Sequence, residues 1–257
     1  GLCDDGGVRM AATPDGRLVV RVHTGLRILD RSMRVLQKVA GVYIRLIAAS
    51  DDSVFHVYTG GEDDRVLHRS SHDGTVEAEY QLEGYRLYSP VFAPGGLVFC
   101  GIWVRRDNEL DEIIALDAQT LQLRHRFGLG LLNNTNQLAV GGDELYVCDT
   151  GNHRLQVFSL TGEHRRSIVG EWRSPTRLCF VKDRLYLVEA GRDDPVQGRR
   201  ILVLSLQGDI LQVVTHPTEP TATFHSICCF DDKLLASYHY RTESAGWVYG
   251  MLALQGL

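Results

Sequence analysis

Residues 145–158 read Leu145-Tyr146-Val147-Cys148-Asp149-Thr150-Gly151-Asn152-His153-Arg154-Leu155-Gln156-Val157-Phe158. Two apolar runs of strand length flank a polar turn, a pattern that predicts two antiparallel strands. Upstream, Gly142-Asp143 forms a second turn, and downstream Thr161-Gly162 forms a third. X-Gly pairs supply the positive φ that a tight hairpin needs. The stretch is thus the middle of a four-strand unit: strand a runs into the first turn, b leaves it, c follows a variable loop, and d follows the last turn.

The unit recurs six times. Polar a–b turns at Asp15-Gly16, Asp51-Asp52, Gly95-Gly96, Gly142-Asp143, Lys182-Asp183 and Asp231-Asp232 each precede an apolar strand b. Strand c opens at Arg27, Arg65, Glu112, Arg154, Arg200 and Trp247, at spacings of 38, 47, 42, 46 and 47. The c–d turns form a third column: Asp30-Arg31-Ser32, Asp73-Gly74, Asp117-Ala118-Gln119, Thr161-Gly162, Gln207-Gly208 and Gln255-Gly256. This period suits the blade of a propeller, four strands arranged radially around a channel.

The prediction is an all-β, six-bladed β-propeller of four-stranded antiparallel blades. It forms a single domain over 1–257, with blades at about 8–42, 43–84, 85–130, 131–172, 173–220 and 221–257. The sixth unit stops at its c–d turn, so the last blade is expected to lack its outer strand. Gly1 to Gly7 is short, rich in Gly and Asp, and a poor substitute. A chain starting at Gly1 fits a fragment or processed product, with the missing strand expected outside it.

Composition bounds the function. At 44% hydrophobic and 23% charged, the chain has the makeup of a globular domain. Its net charge of −5 argues against a general polyanion binder. No apolar run approaches the roughly 20 residues of a membrane span. The six cysteines contain no C-x-x-C pair, and Cys100, Cys148, Cys179 and Cys228 lie in apolar runs. Reduced, buried thiols and a cytoplasmic setting are expected.

The run Asp149-Thr150-Gly151-Asn152-His153-Arg154 between two apolar strands closely resembles the NHL repeat, whose hallmark is Asp-x-Gly-Asn-His-Arg. Leu160-Thr161-Gly162-Glu163 and Ser174-Pro175 also sit where that family has its hairpin turn and its passage into the next blade. Blade five keeps Glu189 and Arg200 in the Asp149 and Arg154 columns but inserts 190–199 between them. Blades one and two keep only Thr-Gly and an Arg, and blades three and six lack the signature. Read physically, Gly151-Asn152 is expected to take turn conformations closed to bulkier residues. An Asp149–Arg154 pair, expected to be bidentate, would pin the hairpin.

The expected function is a non-catalytic scaffold that recognises a protein or peptide through its b–c loops. These are predicted at 59–65, 103–112, 190–199 and 240–247, all on one rim. Candidate binding residues are Asp149, Asn152, His153, Arg154, Glu189, Arg192, Asp193, Arg200, Arg105 and Arg106. No cofactor and no catalytic residue is assigned.

The resemblance implies further readings. Propellers of this family occur beside other domains, ubiquitin-ligase modules among them. Some bind RNA through a basic face, for which His153, Arg154, His164, Arg165, Arg166, Trp172, Arg173, Lys182 and Arg184 are the candidates. Six-bladed relatives also include metal-dependent hydrolases and lyases. Here Asn133, Asn134, Asn136, His225, Asp149 and Glu189 would be the groups available for such a metal.

Overall fold

The computed structural model of the protein describes residues 9–22, 25–40, 44–58, 65–83, 85–103, 111–190, 197–231, 233–242, 244 and 246–254. Blade one holds β1 (Arg9–Ala12), β2 (Leu18–Val22), β3 (Gly25–Leu29) and β4 (Val35–Ala40). Blade two holds β5 (Ile44–Ala49), β6 (Ser53–Tyr58), β7 (Val66–Ser71) and β8 (Val76–Gln81). Blade three holds β9 (Arg86–Ala93), β10 (Leu97–Trp103), β11 (Asp111–Asp117) and β12 (Leu123–Leu132). Blade four holds β13 (Thr135–Gly141), β14 (Glu144–Asp149), β15 (Arg154–Ser159) and β16 (His164–Ile168). Blade five holds β17 (Pro175–Val181), β18 (Arg184–Glu189), β19 (Arg200–Leu204) and β20 (Ile210–Thr215). Blade six holds β21 (Thr223–Phe230), β22 (Lys233–Thr242) and β23 (Gly246–Leu254). Each blade is one antiparallel sheet paired in chain order, and the sixth has three strands.

Burial explains why strands b and c read as continuous apolar runs. In blade four, the five residues after the first are all buried in both β14 and β15. Both faces of these strands lie against neighbouring blades. The outer β16 alternates and is mostly exposed, as expected of a sheet edge facing water.

The core is therefore divided into slabs. Six separate apolar clusters fill the six junctions between consecutive blades. The slab between blades six and one joins Met10, Leu18 and Val20 to Cys228, Phe230 and Leu235. With β1 packed on β21, this closes the ring even though blade six has three strands.

The acids in the turns act as turn caps. Asp30 Oδ1 accepts the Ser32 and Arg34 amides at 2.9 and 3.0 Å, and Asp117 Oδ1 accepts those of Gln119 and Thr120 at 3.0 and 2.9 Å. A positive φ recurs in each described c–d turn, at Met33, Gly74, Leu121, Gly162 and Gly208. Among the described residues, no helix is long and apolar enough to cross a membrane.

One predicted loop is instead sheet. The 240–247 stretch was expected to be a long rim loop, but β22 continues to Thr242 and β23 begins at Gly246. Paired Tyr240↔Val248 and Arg241↔Trp247 carry the ladder almost to the tip. Aromatic and β-branched cross-strand pairs favour this extension. Of the other predicted loops, 59–64, 104–110 and 191–196 lie outside the described residues, and with them Arg105, Arg106, Arg192 and Asp193.

Candidate functional site

The blade-four motif is a clasp. Asp149 ends β14 with none of its surface exposed. Its Oδ1 accepts the Asn133 amide at 2.8 Å, Asn152 Nδ2 reaches both oxygens at 3.0 Å, and Arg154 Nε donates to Oδ2 at 2.7 Å. In return, the Asn133 carbonyl accepts the Gly151 amide at 2.9 Å. The carboxylate thus ties the approach to strand a onto the end of strand b and the start of strand c.

The Arg154 pair is not the expected bidentate fork. Asp149 Oδ1 is taken by Asn133, and Arg154 Nη2 turns away to the Leu131 carbonyl at 2.9 Å. The Gln156 amide is oriented so that its oxygen accepts from Arg154 Nη2 at 2.7 Å.

The role of Gly151 also differs from the expectation. The turn residue with positive φ is His153, at 55°, while Thr150–Asn152 is a 3-10 turn. Gly151 is required by crowding: a Cβ there would sit 2.9 Å from the Asn133 carbonyl oxygen and 2.8 Å from its side chain. His153 reaches across to blade five, where its Nδ1 meets the Ser174 amide at 3.2 Å and the Ser174 hydroxyl at 3.1 Å. Thr150 crosses the same junction, donating to the Pro175 carbonyl at 2.5 Å and accepting from Asn136 Nδ2 at 2.9 Å. The motif therefore holds one blade together and latches it to the next.

Blade five repeats the clasp with a longer acid. Glu189 is 1% exposed. Its Oε1 accepts the Arg173 amide at 2.9 Å, its Oε2 accepts Arg200 Nε at 2.7 Å, and the Ala190 amide donates to the Ser174 carbonyl at 2.8 Å. Asp149 and Glu189 were candidates for ligand or metal contact, but the internal hydrogen bonds occupy their oxygens.

Above these clasps, a cavity of about 500 Å³ opens on the b–c face of blades four to six. Asn134, Asn136, His153, Glu189 and His225 line it. Arg177, which the sequence reading did not single out, joins it to the central channel. It follows a register shift in strand a of blade five, and comparable shifts occur in strand a of blades two, three, four and six. Bulges of this kind re-aim side chains. Here they turn polar residues into the channel mouth. The opposite end of the channel is lined by Ala12, Ala49, Phe92, Val140 and Phe180.

His225 hydrogen-bonds and stacks with His239, their ring centroids 4.2 Å apart. Burial, followed by the charges of His239, Arg177 and Arg9, pushes the His225 pKa down to about 4. The imidazole is thus neutral at pH 7.

Of the groups proposed for a metal, Asn134, Asn136, Glu189 and His225 line this one cavity, whereas Asn133 and Asp149 do not. Among the described residues, no three His, Cys, Asp or Glu side chains are placed to hold an ion. Glu189, the carboxylate that lines this cavity among the described residues, is held in its clasp, and Arg177 faces the same space.

The basic cluster divides as well. Arg154 is on the b–c face, whereas Arg165 bonds Asp143 in the opposite a–b turn at 2.7 Å. Arg166 Nη2 bonds Glu144 at 2.8 Å, and that hydrogen bond leads in holding the Glu144 pKa down to about 2. Trp172 is buried in the slab between blades four and five.

The fold and the clasp together define a six-bladed β-propeller. Its fourth blade carries an NHL repeat, whose family model matches residues 136–158. No curated protein sequence matches the chain significantly. Among solved structures, a streptogramin B lyase is similar, with TM-score 0.64 and 16% identity, covering 99% of this chain and 85% of the lyase. A calcium-binding protein, regucalcin from Agrobacterium tumefaciens strain C58, is similar with TM-score 0.65 and 15% identity, covering 98% of this chain and 92% of that one. A computationally designed protein, Ika8, is similar with TM-score 0.56 and 16% identity, covering 95% and 71%. At these identities the likeness is one of fold.

Proposed function

We propose that the protein is a non-catalytic recognition module that binds a protein or peptide on its b–c face, within a larger multidomain protein such as a ubiquitin ligase. The observation that carries this reading is the tip of the β22–β23 hairpin. Trp247 is 55% exposed there. It packs edge-on against His239 at 4.8 Å, and Tyr249 meets the same histidine at 5.9 Å. His239 in turn stacks on the cavity-lining His225, and an exposed aromatic packed on its neighbours is the kind of anchor on which binding energy concentrates.

The enzyme reading loses support because Glu189, the acid that lines the cavity among the described residues, is clasped, and Asp149 is clasped and buried below it. The RNA reading loses support because Arg165 and Arg166 are neutralised within their blade. Buried thiols at Cys100, Cys148, Cys179 and Cys228 agree with a reducing, cytoplasmic setting.

A peptide library displayed on phage and selected on the intact protein tests the proposal. Selected peptides are expected to bind in solution and to lose at least about tenfold in affinity to Trp247→Ala, as for a hot-spot anchor. Selection that recovers nothing above a bare-matrix control overturns the reading. So does salt-sensitive RNA binding in place of peptide binding.

A further inference from the structure

The relatives of this fold include a calcium-binding protein, yet the channel mouth here is built for the opposite charge. Ser89, Asn136, Gln137, Ser226, Arg9 and Arg177 line a cavity of about 200 Å³ at that level. Among the described residues, no carboxylate lines it.

Arg177 is the central group. Its Nε donates to the His225 carbonyl, and its Nη1 donates to the Thr176 carbonyl at 2.8 Å. Both partners are neutral. Among the described residues, Nη2 makes no hydrogen bond and no acid pairs with the guanidinium. Burial lowers the Arg177 pKa from its ordinary value. A half-buried cation without a counter-charge among the described residues costs stability, and a site that retains one gains from an incoming anion. The two carbonyl bonds fix the planar fork, and a fixed fork suits carboxylate and phosphate oxygens.

The surroundings fit the same ligand. Asn136 lines both this cavity and the larger one above it, so the two spaces meet at Asn136 and Arg177. The larger volume, about 500 Å³, falls in the range of small-molecule pockets, and the smaller, about 200 Å³, extends it toward the channel.

We propose that the channel mouth is a binding site for a small organic anion, whose carboxylate or phosphate group sits on Arg177 and whose body fills the cavity over blades four to six. This goes beyond peptide recognition at the rim, and it does not involve Trp247.

The test uses the intact protein at fixed ionic strength, with sodium chloride as the reference salt. Thermal melts and calorimetric titrations are run with inorganic phosphate in one arm and with succinate in the other. At least one of the two is expected to bind saturably and to raise the melting temperature, since a ligand of the folded state alone stabilises it. The arm that responds identifies the oxyanion. Gln137→Glu places a carboxylate in the channel. It is expected to weaken that binding by at least about tenfold while the unliganded protein melts at the same or a higher temperature. Arg165→Ala, on the outer strand, is expected to leave binding unchanged. The proposal is overturned if neither anion binds above chloride, or if Gln137→Glu folds and binds as the parent does. Peptide binding through Trp247 is expected to survive Gln137→Glu, so the two proposals fail separately.

Discussion

Blades four and six finish their inner hairpins in opposite ways. Blade four spends its polar residues inward: Asp149, Asn152, Arg154 and His153 are all engaged with the backbone or side chains of the ring. Among its described residues, blade six has neither the motif nor a clasp acid. It extends β22 and β23 past the level of the clasp and presents rings instead, with Trp247 exposed and His239 and Tyr249 on the same face. The motif that looks most like an active site is therefore the most structural part of the molecule. The blade without a motif carries the surface free to engage something else.

The largest effect should come from the clasp. Asp149→Ala leaves Arg154 and the Asn133 amide without their acceptor, and breaking a buried pair costs about 3 kcal/mol or more. A denaturant midpoint close to that of the parent would break the contrast between the two blades. Asp143→Ala, in the exposed pair with Arg165, is the control, and its midpoint should barely move.

Blade six should be less sensitive, though not everywhere. Gly250 lies opposite Tyr238 in the β22–β23 ladder, and a Cβ there would overlap the ring. Gly250→Ala should cost about 1–3 kcal/mol, the usual result of overpacking. The same denaturation experiment measures it.

Acid should loosen blade six before blade four. The His225 pKa is lowered from 6.5 to about 4, so the unfolded chain takes up a proton that the folded chain refuses. Stability is present above about 6.5 and is lost as pH falls through that window toward 4. His56, buried and pushed down to about 3 chiefly by burial, acts in the same direction in blade two. Melting temperatures of the parent and His225→Gln across that window should converge as pH falls. Parallel curves would remove His225 from the account. The smallest effect belongs to Trp247→Ser, which should leave stability within about 0.5 kcal/mol and act on partner binding alone.

Much of this was legible in the sequence, for identifiable reasons. The turn columns are local, because short pairs of Asp, Gly and Lys such as Asp15-Gly16 and Gly142-Asp143 favour tight turns, and six such turns count the blades. The Asp149–Arg154 pairing was also readable, because a short turn brings position i near i+5. Partners in the next blade were not readable. The contact of His153 with Ser174 depends on how blade five docks, and crowding at Gly151 depends on where Asn133 passes. Arg177 was hidden for a further reason. It sits in an otherwise apolar strand, and only the register shift beside Pro175 decides which way it points. The 240–247 stretch was misread because its polar tip resembles a loop, whereas cross-strand rings hold it as sheet.

The slab-like core has a consequence for how the molecule assembles. Five of its junctions join blades that follow one another along the chain, so each can form as soon as the next blade is made. The sixth, where Met10 and Leu18 meet Cys228 and Phe230, must bring together segments from opposite ends of the sequence. Closing so long a loop carries the largest entropic penalty of any contact in the ring. Refolding should therefore pass through an open arc of docked blades, and sealing the seam between β1 and β21 should be its slowest step.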